Sequence, residues 1–467
     1  MISKYFTIET RLYTNQFPIE YYRWLMIKHN RILRIIFKLL QTQRIPERQL
    51  FKNICEIYHL DHESTRSLLK TAKGRLSALR QLKKANLHKL SIKIKTIKQQ
   101  ITKIQNELLS MKALVKDNQA TNQQLSLYRK IKYKLWRKKQ VYHHMIQRKQ
   151  QMERKIKNGV YHVCWGSKKL FKAQYHLLEN GFSSHKQWLN TFRAKRDSQV
   201  NYIGSSNEPY GNRNCQLTYD RYHDCFHLRI KRDIEYIASD GFQFFQIKNL
   251  QFHYLRSQLI QTIQSKSKMM MFRMINRQSK WYMQVIFQIF KDEKEMIKNT
   301  HAGVIGLDFN NGFISMSETD YYGNLIHLQH FPLHFHGEGN KADTQLQQVI
   351  AQIIKYAQLK QKPIAIERLD FDIKKARLLK SDQFSKRQYN QMLHTLDYGR
   401  YTIRFDYTCF RNNIALLFVN PAYTTQIAMK KYATRMKLNS HQGASYVIAR
   451  RAQGYRDMIY AKNERMM

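Results

Sequence analysis

The chain has 467 residues, with 81 Lys and Arg against 33 Asp and Glu, a formal net charge of +48 at pH 7. A hydrophobic share of 43% with 12% aromatics excludes wholesale disorder, which goes with few aromatic and β-branched residues. No apolar run approaches the roughly 18 residues of a membrane-spanning helix, so none is predicted. The opening MISKYFTIETRLYTNQF lacks the apolar stretch and small-residue cleavage site of a secretory signal, so a cytoplasmic, reduced protein is expected. The five cysteines (Cys55, Cys164, Cys215, Cys225, Cys409) never lie closer than ten residues apart. That spacing excludes CxxC zinc ribbons and gives no support to a disulfide scaffold. Self-repulsion at this charge penalises a compact free state, so a polyanionic partner is expected. Basic residues run the whole length rather than forming one short membrane-binding segment, which points to nucleic acid.

In chain order, KYFTIETRLYT has the alternation of a strand. From Leu90 the apolar positions are Leu90, Ile94, Ile97, Ile101, Ile104, Leu108 and Met111, the 4-3-4-3 spacing of a helix with a narrow coiled-coil-like seam. The polar stretch KDNQATNQQ interrupts it. A second, more basic helix carries Tyr128, Ile131, Leu135, Tyr142 and Met145 on one face, so the pair is predicted to form an antiparallel hairpin. Its other face presents Arg129, Lys132, Lys134, Arg137, Lys138 and Lys139. A single such run is usually a solvated face; a one-signed excess makes contact with a phosphate backbone an equal reading.

From about residue 156 the texture changes. YHVCWG, FHLRI, FQFFQI and NLQFHYL read as short aromatic-rich strands, and KMMMFRMI and WYMQVIFQIF flank NRQSK as a hairpin. The first strand is predicted to pair with this region, the helices being inserted between. From Thr300 the order is a strand Val304–Asp308, a second strand, a YYGN turn, a third strand, and a helix over 343–357. KPIAIE, a helical stretch over roughly 383–411, the strand NIALLFVNP and a helix starting at Ser440 as N-cap follow. The order βββαβαβα is that of an RNase H-like domain, the fold of RuvC-type nucleases. The expected division is residues 1–50 as a β segment and the start of the helices, 51–155 basic helical, 156–298 β-rich and 299–467 RNase H-like.

Hydrolysis of phosphodiesters by such a fold uses divalent metals held by carboxylates from separate elements. Asp308, at the end of GLDFN, and Glu367, at the end of PIAIE, are the candidates; oxygen ligands suit Mg²⁺ or Mn²⁺. A lone strand-end Asp is more often a turn or cap residue, but a second strand-end carboxylate in this order and charge context favours catalysis. Asp370 and Asp372 read as solvated turn carboxylates. Arg450 and Arg451 either meet DNA phosphate or pair with surface acids. Trp165, Trp188 and Tyr161 either stack bases or pack a core, the commoner fate. No GxxxxGKS loop is present, so ATP-driven action is not indicated.

GVIGLDFN, IAIERLDF, MLHTLDYGRYTIRF and VNPAYTTQIAMKKYA…LNSHQGASYVIARRAQGY together resemble the RuvC-like nuclease of the transposon-encoded TnpB family, relatives of the type V CRISPR effectors. GSKKLFKAQYHLLENGFSSHKQWLNTFRAKRD and IGSSNEPYGN resemble the N-terminal half of one TnpB-related branch, so the resemblance runs from about residue 155 onward. It implies an RNA-guided DNA endonuclease of a mobile element. Its β-rich wedge domain and inserted helical recognition lobe would hold a guide RNA and target double-stranded DNA, and one metal-dependent RuvC-like site would cut. A nuclease-inactive guide-directed repressor, or a structural RNA-binding protein, is the alternative. Two departures stand out. No cysteines follow the PAYTT segment, so no structural zinc is expected. Counting back three residues from Ala444, the family's third Asp is His441. It is a metal ligand, an acid/base or hydrogen-bond donor, a mark of a dead nuclease, or an inert helical histidine.

Overall fold

The structure, a computed structural model, describes residues 1–13, 15, 17–42, 45–116, 121–265, 268–310, 312–333, 339–368 and 398–457. It is a mixed α+β protein whose described strands form three sheets, in two compact units, Ser3–Ile289 and Phe290–Met467 with the first two residues. Among the described residues no helix is long and apolar enough to cross a membrane.

In the first unit, β1 (Ile2–Leu12), β2 (Gln199–Ile203), β6 (Met270–Arg277) and β7 (Lys280–Lys291) form a sheet in the order β1-β7-β6-β2. The N-terminal strand therefore lies beside one almost 270 residues later, and the helices are inserted between. The β6–β7 hairpin turns on Gln278 and Ser279, both at positive φ (50° and 67°). Two such residues are what the tightest hairpin turn requires, although neither is the usual Gly or Asn. A second sheet joins β3 (Cys215–Asp220), β4 (Cys225–Lys231) and β5 (Phe244–Leu250) in that order.

Helices α1 (Ile19–Thr42), α2 (Glu47–Tyr58), α3 (His62–Lys116) and α4 (Asn122–Lys157) follow β1. Ile32, Ile36, Phe37, Leu50, Ile54, Leu68, Leu69 and Leu76 make the core of the first three. The long α3 continues into the hairpin with α4, where Ile101, Ile104, Ile131 and Leu135 are buried and Ile97, Leu108, Met111 and Tyr142 pack beside them. This is the seam the 4-3 spacing predicts, but α3 begins at His62, well before Leu90. Thr121 starts α4 with a reciprocal cap: its hydroxyl accepts from the Gln124 amide while the Gln124 side chain accepts from the Thr121 amide. YHVCWG is not a strand. Tyr161, Val163 and Trp165 instead pack as irregular chain against the core of α1–α3, and Gln41 Oε1 accepts from the Tyr161 amide at 2.6 Å. NLQFHYL leaves the sheet at Leu250.

In the second unit, β8 (Ile305–Asn310), β9 (Phe313–Thr319), β10 (Leu325–Pro332), β11 (Ile364–Glu367) and β12 (Leu416–Val419) form one sheet in the order β10-β9-β8-β11-β12. Only β9 runs against the rest. This 3-2-1-4-5 arrangement accords with the RNase H-like expectation. On one face, Leu346, Ile350 and Ile353 of the helix Gly339–Lys360 and Phe405 and Cys409 of the helix Tyr398–Arg411 cover Ile305, Leu307, Ile364 and Ile366. On the other lies the helix Ser440–Ala452, with Ile448 and Ala449 against Val304, Ala365 and Val419. That contact is so close that a Cβ on Gly306 would sit 2.2 Å from the Ser445 carbonyl oxygen. Gly443 likewise lets the helix approach Ala428. The N-cap of this helix is Asn439, not Ser440: its Oδ1 accepts from the His441 and Gln442 amides. Both residue types cap well, and the one that completes a capping box with Gln442 wins. The 383–411 helical prediction is described only from Tyr398; its earlier part, and Asp370 and Asp372, lie outside the described residues.

Candidate active site

Asp308 is the fourth residue of β8, where the strand leaves its all-buried stretch. Its Oδ2 accepts from Asn310 Nδ2 at 2.9 Å and faces His441 Nδ1 at 3.3 Å. The two residues are separated by 133 positions in sequence, so the close packing of the last helix on β8 is what brings them together. His441 lies in the first turn of that helix, its ring edge-on to Phe313 at 5.1 Å. The Asp308 carboxylate thus faces the first turn of that helix through the His441 ring.

Glu367 ends β11. The parallel register pairs Ile364 with Ile305, Ala365 with Gly306 and Ile366 with Leu307; one step further brings Glu367 level with Asp308. Glu367 is buried, and the Thr424 hydroxyl donates to its Oε1 at 2.5 Å. Thr424 follows β12 directly, in the segment after Pro421, so sheet, short helix and final helix each supply one constraint. The ligating atoms of Asp308, Glu367 and His441 do not gather within 4.8 Å of one another, since among the described residues only another trio does so. The arrangement is two carboxylates on neighbouring strand ends and an imidazole from the last helix, oxygen and nitrogen donors of the kind divalent cations take, spread more widely as placed than three ligands of one ion.

Arg451 donates to the carbonyl oxygens of Asn420 (2.5 Å) and Ala422 (2.6 Å). Burial holds its guanidinium pKa down, against the opposing pull of Glu367 and Asp457. Arg450 pairs with Asp457 at 3.0 Å, donates to the Gly323 carbonyl at 2.8 Å and lies over the Tyr455 ring. Arg451 thus braces the chain just after β12, while Arg450 ties the last helix to the β9–β10 turn at the other end of the sheet. Trp188 and Tyr161 are buried; Trp188 donates to the Leu170 carbonyl and stacks on Phe192. Of the three candidate stacking rings, only Trp165 lines an open cleft.

On α4, Arg129, Lys132, Lys134, Arg137 and Lys139 are exposed, while Lys138 is half-buried and donates to Gln100. Among them Tyr133 and Trp136 stack on each other at 5.9 Å and are 60% and 57% exposed. The sequence reading passed over this pair, although two large aromatics off the apolar face of so basic a helix are the available signal. A cleft of about 650 Å³ in the same unit is lined by Arg75, Trp165, Arg196, Arg273 and Arg277. Burial lowers the pKa of Arg75 and Arg273, and for Arg75 the Arg273 charge adds to it.

No protein-family model matches the chain, and no curated protein is detectably similar to it. Several solved structures overlap it, two of them as follows. One is T. thermophilus RuvC in complex with a Holliday junction substrate: 15% identity, 32% of this chain and 90% of that one, TM-score 0.24. The other is a CRISPR-Cas12f ternary complex: 11% identity, 96% of this chain and 98% of that one, TM-score 0.22. At scores this low neither overlap determines the chemistry, which rests on the residues themselves.

Proposed function

We propose that the chain is a metal-dependent DNA endonuclease, directed by a guide RNA as the resemblance to TnpB implies, whose cutting site is Asp308, Glu367 and His441. One observation carries the reading: His441 meets Asp308 across the packed face of the last helix, at the strand end where Glu367 comes level on the adjacent parallel strand. Such an end is open to substrate while the strands behind it are rigid, which is what positioning a phosphodiester requires. A Mg²⁺ or Mn²⁺ ion held by the two carboxylates would stabilise charge on the attacking and departing oxygens. Asn310 orients the Asp308 carboxylate. Thr424 fixes one oxygen of Glu367. His441 completes the donor set or passes a proton on Asp308's side of the site. The exposed cations of α4, with Tyr133 and Trp136, and the arginine-lined cleft supply sequence-independent contacts to a sugar-phosphate backbone.

The test is cleavage of a plasmid matched to the RNA that co-purifies with the protein, in Mg²⁺ and in Mn²⁺. Cleavage that falls about 10²-fold or more in His441→Ala and survives in His441→Asp is the expected result. Absence of any discrete co-purifying RNA removes the guide. RNA-dependent binding without cleavage makes the chain a targeted DNA-binding repressor; the wider separation of the three donors and the imidazole at the third position favour that second reading.

A further inference from the structure

Away from the strand ends just described, the hairpin between β3 and β4 carries the run Asp220-Arg-Tyr-His223-Asp-Cys225-Phe-His227. Asp220 and Cys225 are direct cross-strand partners, so their side chains share a face. His227 lies two residues beyond Cys225 on the same strand and therefore on that face too. One ligand atom from each of the three lies within 4.8 Å of the others. The His227 Nε2 is 3.4 Å from Asp220 Oδ2 and 3.8 Å from Cys225 Sγ. In a tetrahedral site with metal–sulfur about 2.3 Å and metal–nitrogen or –oxygen about 2.05 Å, those edges are about 3.3 and about 3.5 Å. The two edges at His227 are therefore within a few tenths of an ångström of the separations that a tetrahedral ion would impose, and the third lies within 4.8 Å. His223, in the turn, reaches the same Asp220 oxygen at 2.7 Å and is largely exposed.

We infer that Asp220, Cys225 and His227 hold a zinc-class divalent cation, with His223, which as placed reaches only the Asp220 oxygen, swinging in from the exposed turn as the fourth ligand. A thiolate, two imidazoles and one carboxylate select zinc over magnesium, because soft donors favour the borderline-soft metal. Around the trio, β5 is bulged opposite His227, with Asn249 in the left-handed region at φ 56°. Asn249 Oδ1 accepts from the Cys225 thiol at 3.5 Å, and its amide reaches His227 Nδ1 at 3.4 Å. Metal binding removes the thiol proton, which leaves the Asn249 oxygen free, and needs the Nε2 lone pair, so the single ring proton of His227 moves to Nδ1 and the ring gives up its contact with the Asn249 amide. The ion would tie the turn and two strands of this sheet together. It is unrelated to the magnesium-class chemistry of Asp308 and Glu367.

The experiment is a Co²⁺ titration of the whole protein after chelation, read by the thiolate-to-cobalt charge-transfer band and the intensity of the visible bands, followed by displacement with Zn²⁺. One equivalent of Co²⁺ is expected to give a tetrahedral spectrum. Cys225→Ser should erase the charge-transfer band. His227→Ala should weaken Zn²⁺ by about 10²-fold or more, and Cys164→Ser, an exposed thiol elsewhere, should change nothing. Because Cys225 is buried, far-ultraviolet dichroism of each variant accompanies the titration, and His223→Ala, altered only in the exposed turn, should turn the spectrum towards a water-completed site. A featureless titration of the folded protein, or a band that persists in folded Cys225→Ser, overturns the proposal.

Discussion

Along α4, Arg129, Lys132, Lys134, Arg137 and Lys139 stand exposed over some three turns, each on its own stem. At the end of β8 a single carboxylate is met by an amide two residues on and by an imidazole from a helix 133 positions later. The first arrangement spreads its effect over many interchangeable charges. The second concentrates it in atoms that have no substitutes. A region of the first kind tolerates the loss of any member, and a region of the second kind fails with one.

The sharpest way to break that contrast is at the strand ends. Asp308→Ala and Glu367→Ala should each lower cleavage by at least about 10²-fold in either metal while leaving nucleic-acid affinity nearly unchanged; a gel-shift beside a plasmid-nicking assay separates the two. A variant that loses both together would show that the carboxylates serve the fold. Next comes the support behind them. Gly306→Val drives two methyl groups towards the Ser445 carbonyl, so urea unfolding of the Phe290–Met467 unit should show a loss of about 1–3 kcal/mol, with cleavage lost as His441 is displaced.

Acid sets the two units against each other. His29, fully buried on α1 with an unpaired Nδ1, has its pKa pushed down from 6.5 to about 3 by burial and by the Lys28 charge. The unfolded chain therefore binds a proton that the folded chain refuses. This contribution is complete above pH 6.5 and is lost as the pH falls towards 3, with a slope of at most about 1.4 kcal/mol per pH unit. His29→Leu should flatten the acid limb of the Ser3–Ile289 unit, followed by hydrogen exchange, and leave that of the other unit as it was. The smallest effect belongs to α4: Lys132→Ala should weaken nucleic-acid binding slightly and uniformly across sequences, reducing the salt slope by about 1. Losing Lys132, Lys134 and Arg137 together should triple that change if the charges are independent.

Much of the five-stranded sheet was legible because its strands are short apolar runs closed by turns, and because Asp308 and Glu367 stand at strand ends that hydropathy alone delimits. The inserted helices were legible for the same reason, since the seam from Leu90 to Met111 keeps one period throughout. What escaped had weaker local signals. YHVCWG alternates like a strand, yet its rings find their partners on three helices, and no local pattern encodes that. Asn439 and Ser440 are both good caps, and only the reach of Gln442 decides between them. Cysteine spacing speaks only to ribbons with paired cysteines close in sequence. It was blind to Asp220, Cys225 and His227, because a cross-strand pair puts residues five apart face to face. Tyr133 and Trp136 were hidden among the cations that give their exposure its meaning.

The 55 residues of α3 make a rod about 80 Å long at 1.5 Å per residue. Two full turns of B-form duplex, at about 35 Å each, fit within that length. A rod stiffened by a seam of a few isoleucines and leucines is a spacer of fixed length. Its markings are the heptads, so the natural unit of shortening is seven residues from each arm, about 10 Å at a time. Removing such a pair would keep Ile101 and Ile104 facing Ile131 and Leu135 and change only how far along a partner the protein can reach.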